Sequence, residues 1–187
     1  MFHKLLSHFV RKIKIPTFTS KVVGNIGEGA INSMLKELDP SKFILVNNIT
    51  IPNPKARSKI SQIDHIVISK TGIFVLETKN YTGWIFGSPQ NQYWTQVVYK
   101  KKNKLYNPIK QNWGHIYALS DYLNIPRIKF HNLVCFIGDA KFKTDIPLGV
   151  YTDRSFIRDI EVRAKEVLTI EDIEKIKGLL IPNKTES

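Results

Sequence analysis

The chain has 187 residues, 42% hydrophobic and 24% charged, enough for one domain with its own core and unlike collagenous, repetitive or disordered chains. Lys and Arg outnumber Asp and Glu by 28 to 16, a formal net charge of +12, and such a balance draws phosphate backbones or anionic headgroups by long-range Coulomb force without conferring sequence preference. The single cysteine excludes an intrachain disulfide and a cysteine-based zinc cluster, and it suits a reducing, cytoplasmic compartment.

Residues 1–22 read as a basic, weakly amphipathic arm closed by Pro16 and a Thr/Ser cluster. Its apolar stretch is too short and too interrupted by His and Lys for a secretory signal, and no stretch reaches the ~18 apolar residues of a membrane-spanning helix. The arm suits peripheral association with an anionic membrane through residues 1–20, or contact with DNA; a poorly ordered arm is an equal reading. Ile31, Met34, Leu35 and Leu38 fall at helical spacing, which predicts an amphipathic helix over residues 30–38 with Glu28 in its first turn and Asp39-Pro40 at its end.

Residues 43–51 are apolar and β-branched, a strand. A loop carrying Lys55, Arg57 and Lys59 follows. Residues 60–68 and 73–79 flank the short segment Ser69-Lys70-Thr71-Gly72 and read as a β-hairpin. Short strands are expected at 81–87 and 93–99, with Lys100, Lys101, Lys102, Asn103 and Lys104 as a basic turn after them. Asn107-Pro108 opens a helix whose apolar face is Ile109, Ile116, Leu119 and Leu123. Residues 130–137 are apolar with little alternation, as in a strand covered on both faces, and Cys135 within them is a packing residue. Ser155 reads as a cap before residues 156–162, and Thr169-Ile170-Glu171-Asp172 as a capping box opening a last helix over 173–180. The order predicts a mixed α/β sandwich around one core.

The hairpin carries the chemistry. A turn centred between Lys70 and Thr71 sets Asp64 across from Glu77, where directly opposed residues have Cβ atoms ~5 Å apart. Glu77 and Lys79 share a face of one strand. Two carboxylates and an ammonium inside apolar strands are costly unless paired or bound to a metal. An oxygen-rich site of this kind suits Mg²⁺ or Mn²⁺ better than Zn²⁺, which would polarise a scissile phosphate, with Lys79 orienting water and stabilising the transition state. The competing reading is a structural Glu77–Lys79 ion pair.

Several segments, in this order, carry a family resemblance. They are Gly27-Glu28-Gly29-Ala30, Gln62-Ile63-Asp64-His65-Ile66-Val67-Ile68, Thr71 through Glu77-Thr78-Lys79 to Ile85, Trp94-Thr95-Gln96, and Asn107-Pro108-Ile109-Lys110-Gln111-Asn112 with His115 beyond. Over about residues 24–123 the chain resembles the nuclease-related domain family, a branch of the PD-(D/E)xK superfamily. The resemblance implies a restriction-endonuclease-like mixed central sheet flanked by helices and a metal-dependent phosphodiesterase site; residues 124–187 lie outside it, and residues 23–187 are expected to form a single domain with it. The resemblance makes Asp64 and Glu77 metal ligands, Lys79 the catalytic lysine, Glu28 a helix-borne carboxylate near the metal and the Thr78 carbonyl a further ligand. The superfamily's proline is absent, since Ile63 precedes Asp64.

Gln111 and His115 are spaced to share a helix face; Gln111 is taken as a catalytic-site residue, and His115 is left open between site and scaffold. His65 alternates with Asp64 and so faces the other side of the sheet, as a core histidine. Lys100, Lys101, Lys102 and Lys104 are candidate nucleic-acid contacts, interleaved with Trp84, Tyr93, Trp94 and Trp113, which are expected mainly in the core. No phosphate-loop, zinc-protease or serine-nucleophile motif occurs. The leading expectation is a Mg²⁺- or Mn²⁺-dependent nuclease on nucleic acid, DNA ahead of RNA, with a homodimer or a partner protein left open. The alternatives are a non-catalytic nucleic-acid-binding module of the same fold, or a membrane- or protein-docking module acting through the arm.

Overall fold

A computed structural model describes residues 20–181; positions 1–19 of the expected arm lie outside it. The elements are α1 (Ser20–Leu35), β1 (Ile44–Pro52), β2 (Ile60–Ser69), β3 (Gly72–Asn80), β4 (Gly83–Phe86), β5 (Tyr93–Val98), β6 (Lys101–Tyr106), α2 (Pro108–Leu123), β7 (Phe130–Ile137), β8 (Ala140–Phe142), β9 (Val150–Tyr151), α3 (Ser155–Glu161) and α4 (Ile170–Leu180). Among the described residues no helix is long and apolar enough to cross a membrane.

The central sheet has strand order β1-β2-β3-β7-β9. Its first three strands are antiparallel, and β7 joins β3, and β9 joins β7, in parallel. The middle strands are continuously apolar because helices cover both faces. On one face Ile66, Ile68, Ile73 and Val75 pack with Ile116, Leu119 and Leu123 of α2. On the other, Val67, Phe74 and Leu76 pack with Ile31 and Leu35 of α1 and with Cys135; burial holds that thiol well above its usual range. The hairpin turn is Lys70-Thr71, as expected, with Ser69 opposite Gly72. Gly72 has φ +137°, and a Cβ there would stand 2.6 Å from His131 Nε2, so the turn requires glycine.

A second sheet of order β6-β5-β4-β8 packs Ile85 and Trp94 against Val134, Phe136 and Val150. Its β6 corrects the expected basic turn: only Tyr99 and Lys100 turn, while Lys101, Lys102 and Lys104 lie in a strand paired with β5. Lysine and asparagine have little strand preference of their own, and pairing with β5 overrides it. The first helix corrects the sequence reading too. It is already helical at Ser20, the first described residue, so Glu28 sits mid-helix and not in a first turn. Gly24, Gly27 and Gly29 hid this, being poor helix formers. Gly27 is needed because α1 crosses the end of β3 closely; a Cβ there would lie 2.9 Å from Asn80 Cβ.

Both β1 and β2 change phase where Asn48 faces Asp64. Ile44 and Val46 face the α2-side core, and so do Ile49 and Ile51; on β2, Ile66 and Ile68 are joined there by Ile63. Simple alternation cannot do this. Asn48 takes a left-handed φ of +48°, which swings the strand over, and Asn48 and Asp64 drop out of a register otherwise kept from Ile44↔Ile68 to Pro52↔Ile60. The site begins at this dislocation.

Helix α2 is anchored at both ends of its first two turns. The Asn107 side chain accepts from Ile109 N and Lys110 N and donates to the carbonyls of Ser88, Pro89 and Asn91. Asn112 is fully buried: its Nδ2 reaches Val75 O at 2.8 Å, Asn132 Oδ1 at 2.8 Å and Leu133 O at 3.0 Å, tying α2 to β3 and β7. Asn112→Ala is expected to cost about 2–4 kcal/mol of stability, since it opens a void and strips buried acceptors of their donor. Urea unfolding checks this, and a midpoint equal to the parent's would contradict it.

Candidate active site

The β2–β3 ladder stops at His65↔Leu76, one step short of Asp64 and Glu77. In its place the Thr78 backbone N–H donates to Asp64 Oδ2 at 2.8 Å. Asp64 thus stands beside Glu77 without being its ladder partner. The dislocation at Asn48 turns β2 so that a side chain, not a backbone carbonyl, meets β3.

Glu77 is 4% exposed, an expensive place for a carboxylate unless its oxygens are satisfied. They are. Oε1 accepts from Lys79 Nζ at 2.6 Å and from Gln111 Nε2 at 2.7 Å. Oε2 lies 3.3 Å from His115 Nε2. Lys79 also donates to Gln111 Oε1 at 3.1 Å, and His115 Nδ1 pairs with Ser61 Oγ at 2.7 Å. Gln111 and His115 are one turn apart on α2, the shared face their spacing implied. Burial pushes the Glu77 carboxyl up, but the His115 hydrogen bond and the charge and hydrogen bond of Lys79 outweigh it, and Glu77 titrates below the ordinary carboxylate range.

Asp64 is the opposite case. Burial, the charge of Glu77 and a smaller push from Glu28 raise its carboxyl to about 6, against the pull of the Thr78 N–H and Lys79. Its Oδ1 meets no hydrogen-bond donor among the described residues. Two neighbouring carboxylates are therefore handled unequally: one is neutralised by its own scaffold, and the other is left short of positive charge.

An open cleft of about 570 Å³ gathers Glu28, Asp64, Glu77 and Gln111 with Ser61, His115, Tyr106 and Lys110 along its walls. Lys79 reaches this group through Glu77 and Gln111. Thr78 does not line the cleft; its side chain lies toward Gly27 of α1, and its buried Oγ1 has no partner among the described residues. Lys100, Lys101, Lys102 and Lys104 are away from the cleft, on the β5–β6 turn and β6. His65 faces the α1 side, with Nδ1 2.7 Å from Asn47 Oδ1, and burial lowers it to about 4, in keeping with a neutral core histidine. Among the described residues no three of His, Cys, Asp and Glu form a ready-made metal cluster. What fits a hard divalent cation is the donor chemistry, carboxylate oxygens around a charge-deficient Asp64. Ser61 was not foreseen from sequence. Alternation carried back from Ile66 and Ile68 turns it away from α2, and only the phase change brings it to His115.

The profile of the nuclease-related domain family matches residues 23–137, extending through β7 and past the resemblance read over residues 24–123. The chain is 34% identical over 154 residues to an uncharacterized protein of Bacillus anthracis, pXO1-01; the alignment covers 81% of this chain and 64% of that protein, so the chain spans less than two thirds of that relative's length. No solved structure gives a significant match. The chain belongs to the nuclease-related domain family, and the mixed sheet between helices is its restriction-endonuclease-like α/β fold.

The raised Asp64 sets the sign of a stability effect. Its folded value of about 6 exceeds the ordinary 3.8, so the stabilisation from holding a proton is complete below pH 3.8 and lost as pH rises through 6. Asp64→Asn, which keeps an acceptor for the Thr78 N–H, is therefore expected to stabilise the metal-free protein by about 1–2 kcal/mol at neutral pH and to change it little near pH 4. Urea titrations in EDTA at both pH values read this directly; a neutral-pH loss would show that Asp64 carries no electrostatic penalty.

Proposed function

We propose that this member of the nuclease-related domain family is a nuclease, hydrolysing phosphodiester bonds of DNA, with RNA second, in the presence of Mg²⁺ or Mn²⁺. The observation that carries the reading is the unequal carboxylate pair. Glu77 is locked by Lys79, Gln111 and His115, while Asp64 beside it lacks positive charge at the mouth of an open cleft. A purely structural ion pair would need neither Asp64 nor the opening.

Asp64, Glu77 and Glu28 are the residues that would hold the cation, with the Thr78 carbonyl the further candidate from the family pattern. When bound, such an ion supplies Lewis acidity toward a phosphoryl oxygen and acidifies water. The chain's own groups do the rest. The Lys79 ammonium, oriented by Glu77 and Gln111, supplies positive charge where the phosphoryl group becomes more anionic in the transition state. Gln111 and His115 fix the Glu77 carboxylate, and the Ser61 hydroxyl fixes the His115 ring. Hydrolysis adds water across one P–O ester bond: the water oxygen bonds to phosphorus, and the departing ester oxygen takes up a proton. The net charge of +12 favours a polyanionic substrate.

The expected result is metal-dependent cleavage, abolished by EDTA and reduced at least about 100-fold in Glu77→Gln and in Lys79→Ala, with both variants folded by circular dichroism. One observation favours a second reading, a binding module without turnover: both Glu77 oxygens are already occupied by protein donors. Salt-sensitive binding with no cleavage by the parent, across Mg²⁺ and Mn²⁺ and across DNA and RNA, would establish that reading instead.

A further inference from the structure

The outer face of the second sheet presents several aromatic side chains to solvent. Its inner face buries Ile85 and Trp94, so alternation sends their neighbours outward. Trp84 is 50% exposed, Tyr93 48%, Tyr106 47% and Phe86 38%. Pairing sets Trp84 beside Val97 and Lys141, and Phe86 beside Thr95, with Lys102 and Lys104 opposite Val97 and Thr95 on β6. Aromatic rings therefore run along the middle of the face, and lysines border it on both sides. Lys143 Nζ stands 4.8 Å from the centre of the Trp84 ring, and Lys104 Nζ 5.7 Å from that of Tyr93. No Asp or Glu occurs anywhere in β4, β5, β6 or β8.

Lysines on β6 and β8 also discourage edge-to-edge pairing of sheets, but that role gives no reason to expose four aromatic side chains between them. Large exposed aromatics mark a surface that something covers. Flat rings on a sheet, flanked by ammonium groups and free of carboxylates, match unpaired bases and their phosphates. A duplex keeps its bases stacked inside and has none to offer. The face is also continuous with the cleft. Tyr106 packs edge-on against Tyr93, ring centres 6.0 Å apart, and itself lines the cleft beside Lys110.

We propose that this face binds single-stranded nucleic acid, stacking bases on Trp84 and Tyr93 and pairing phosphates with Lys102, Lys104, Lys141 and Lys143, and leads the strand past Tyr106 to the cleft. The path into the cleft rests on the nuclease reading; the binding itself does not. Of the lysines expected from sequence to touch nucleic acid, Lys102 and Lys104 belong to this face, while Lys101 alternates away from it and Lys100 sits in the turn.

The test is fluorescence anisotropy on the full chain in EDTA, with labelled oligo(dT) and oligo(U) of about 20 nucleotides and a hairpin duplex of equal length. Single strands are expected to bind at least tenfold tighter than duplex at physiological salt. Trp84→Ala should weaken single-strand binding about tenfold, the scale of one lost base stack, and Trp84→Phe should recover most of the loss. The stronger of oligo(dT) and oligo(U), with oligo(dU) separating the sugar from the thymine methyl, identifies the backbone. Equal binding of duplex and single strand, or full-strength single-strand binding by folded Trp84→Ala, overturns the proposal. Because cleavage plays no part in the readout, a protein that binds in this way and never cuts loses only the nuclease reading. One that cuts but binds without regard to Trp84 loses only this platform.

Discussion

The open end of the central sheet depends on keeping Glu77 ionised where water barely reaches it. A carboxylate so placed is tolerable only if donors converge on it from fixed positions, and three do, from two elements. Lys79 comes from the same strand, Gln111 and His115 from α2. The consequence is geometric. Helix α2 has to present adjacent turns to the end of β3, and β3 has to be central, with β2 and β7 beside it. Asp64 then gains its meaning by contrast. It lies at the same sheet end but receives one backbone N–H where Glu77 receives a full complement of donors. An interior tuned only for stability would have removed the second carboxylate or paired it.

Asp64 reaches that position through a fault in the sheet. With strict alternation through β1 and β2, Ile51 and Ile63 would leave the α2-side core and Ser61 would turn away from His115. The left-handed Asn48 lets both strands change phase together, so the hydrophobic core stays continuous on either side while one rung is released from the ladder. Asparagine is among the few residues that take this conformation at modest cost. The strain is confined to the rung that the site uses, in line with the tendency of bulges to sit beside functional groups.

The features legible in the sequence were those set by local chemistry. The Lys70-Thr71 turn ahead of Gly72, the spacing of Gln111 and His115, the Asn107-Pro108 helix start and the capping box at Thr169 all have short-range causes, and each lies where expected. Glu77 and Lys79 on one strand face followed from period-two geometry. The features that escaped are set at long range. Strand β6 is a strand because β5 pairs with it, against the preference of its own lysines. The N-terminal half of α1 is helical although it carries Gly24 and Gly27, the latter required by contact with Asn80. Ser61 depends on a phase change that only the paired partner strand explains. The tryptophans divided along the same line: Trp94 is buried as alternation and size suggest, whereas Trp84, next to buried Ile85, is turned outward by the same alternation.

Helix α2 links these parts mechanically. Within one short stretch Asn107 holds the carbonyls of residues 88, 89 and 91 at the base of the second sheet, Gln111 and His115 hold Glu77, and Asn112 is bolted through the core to β3 and β7. These contacts leave the second sheet little freedom to move relative to the carboxylates. Trp94 stacked on Phe136 of β7 adds a further restraint from the other side. The distance from the outer aromatic face to the cleft is therefore set by buried, hydrogen-bonded side chains and not by a flexible loop. On the proposed reading, a strand seated on that face would meet the carboxylates at a fixed offset, the preorganisation that in-line attack on a phosphodiester requires.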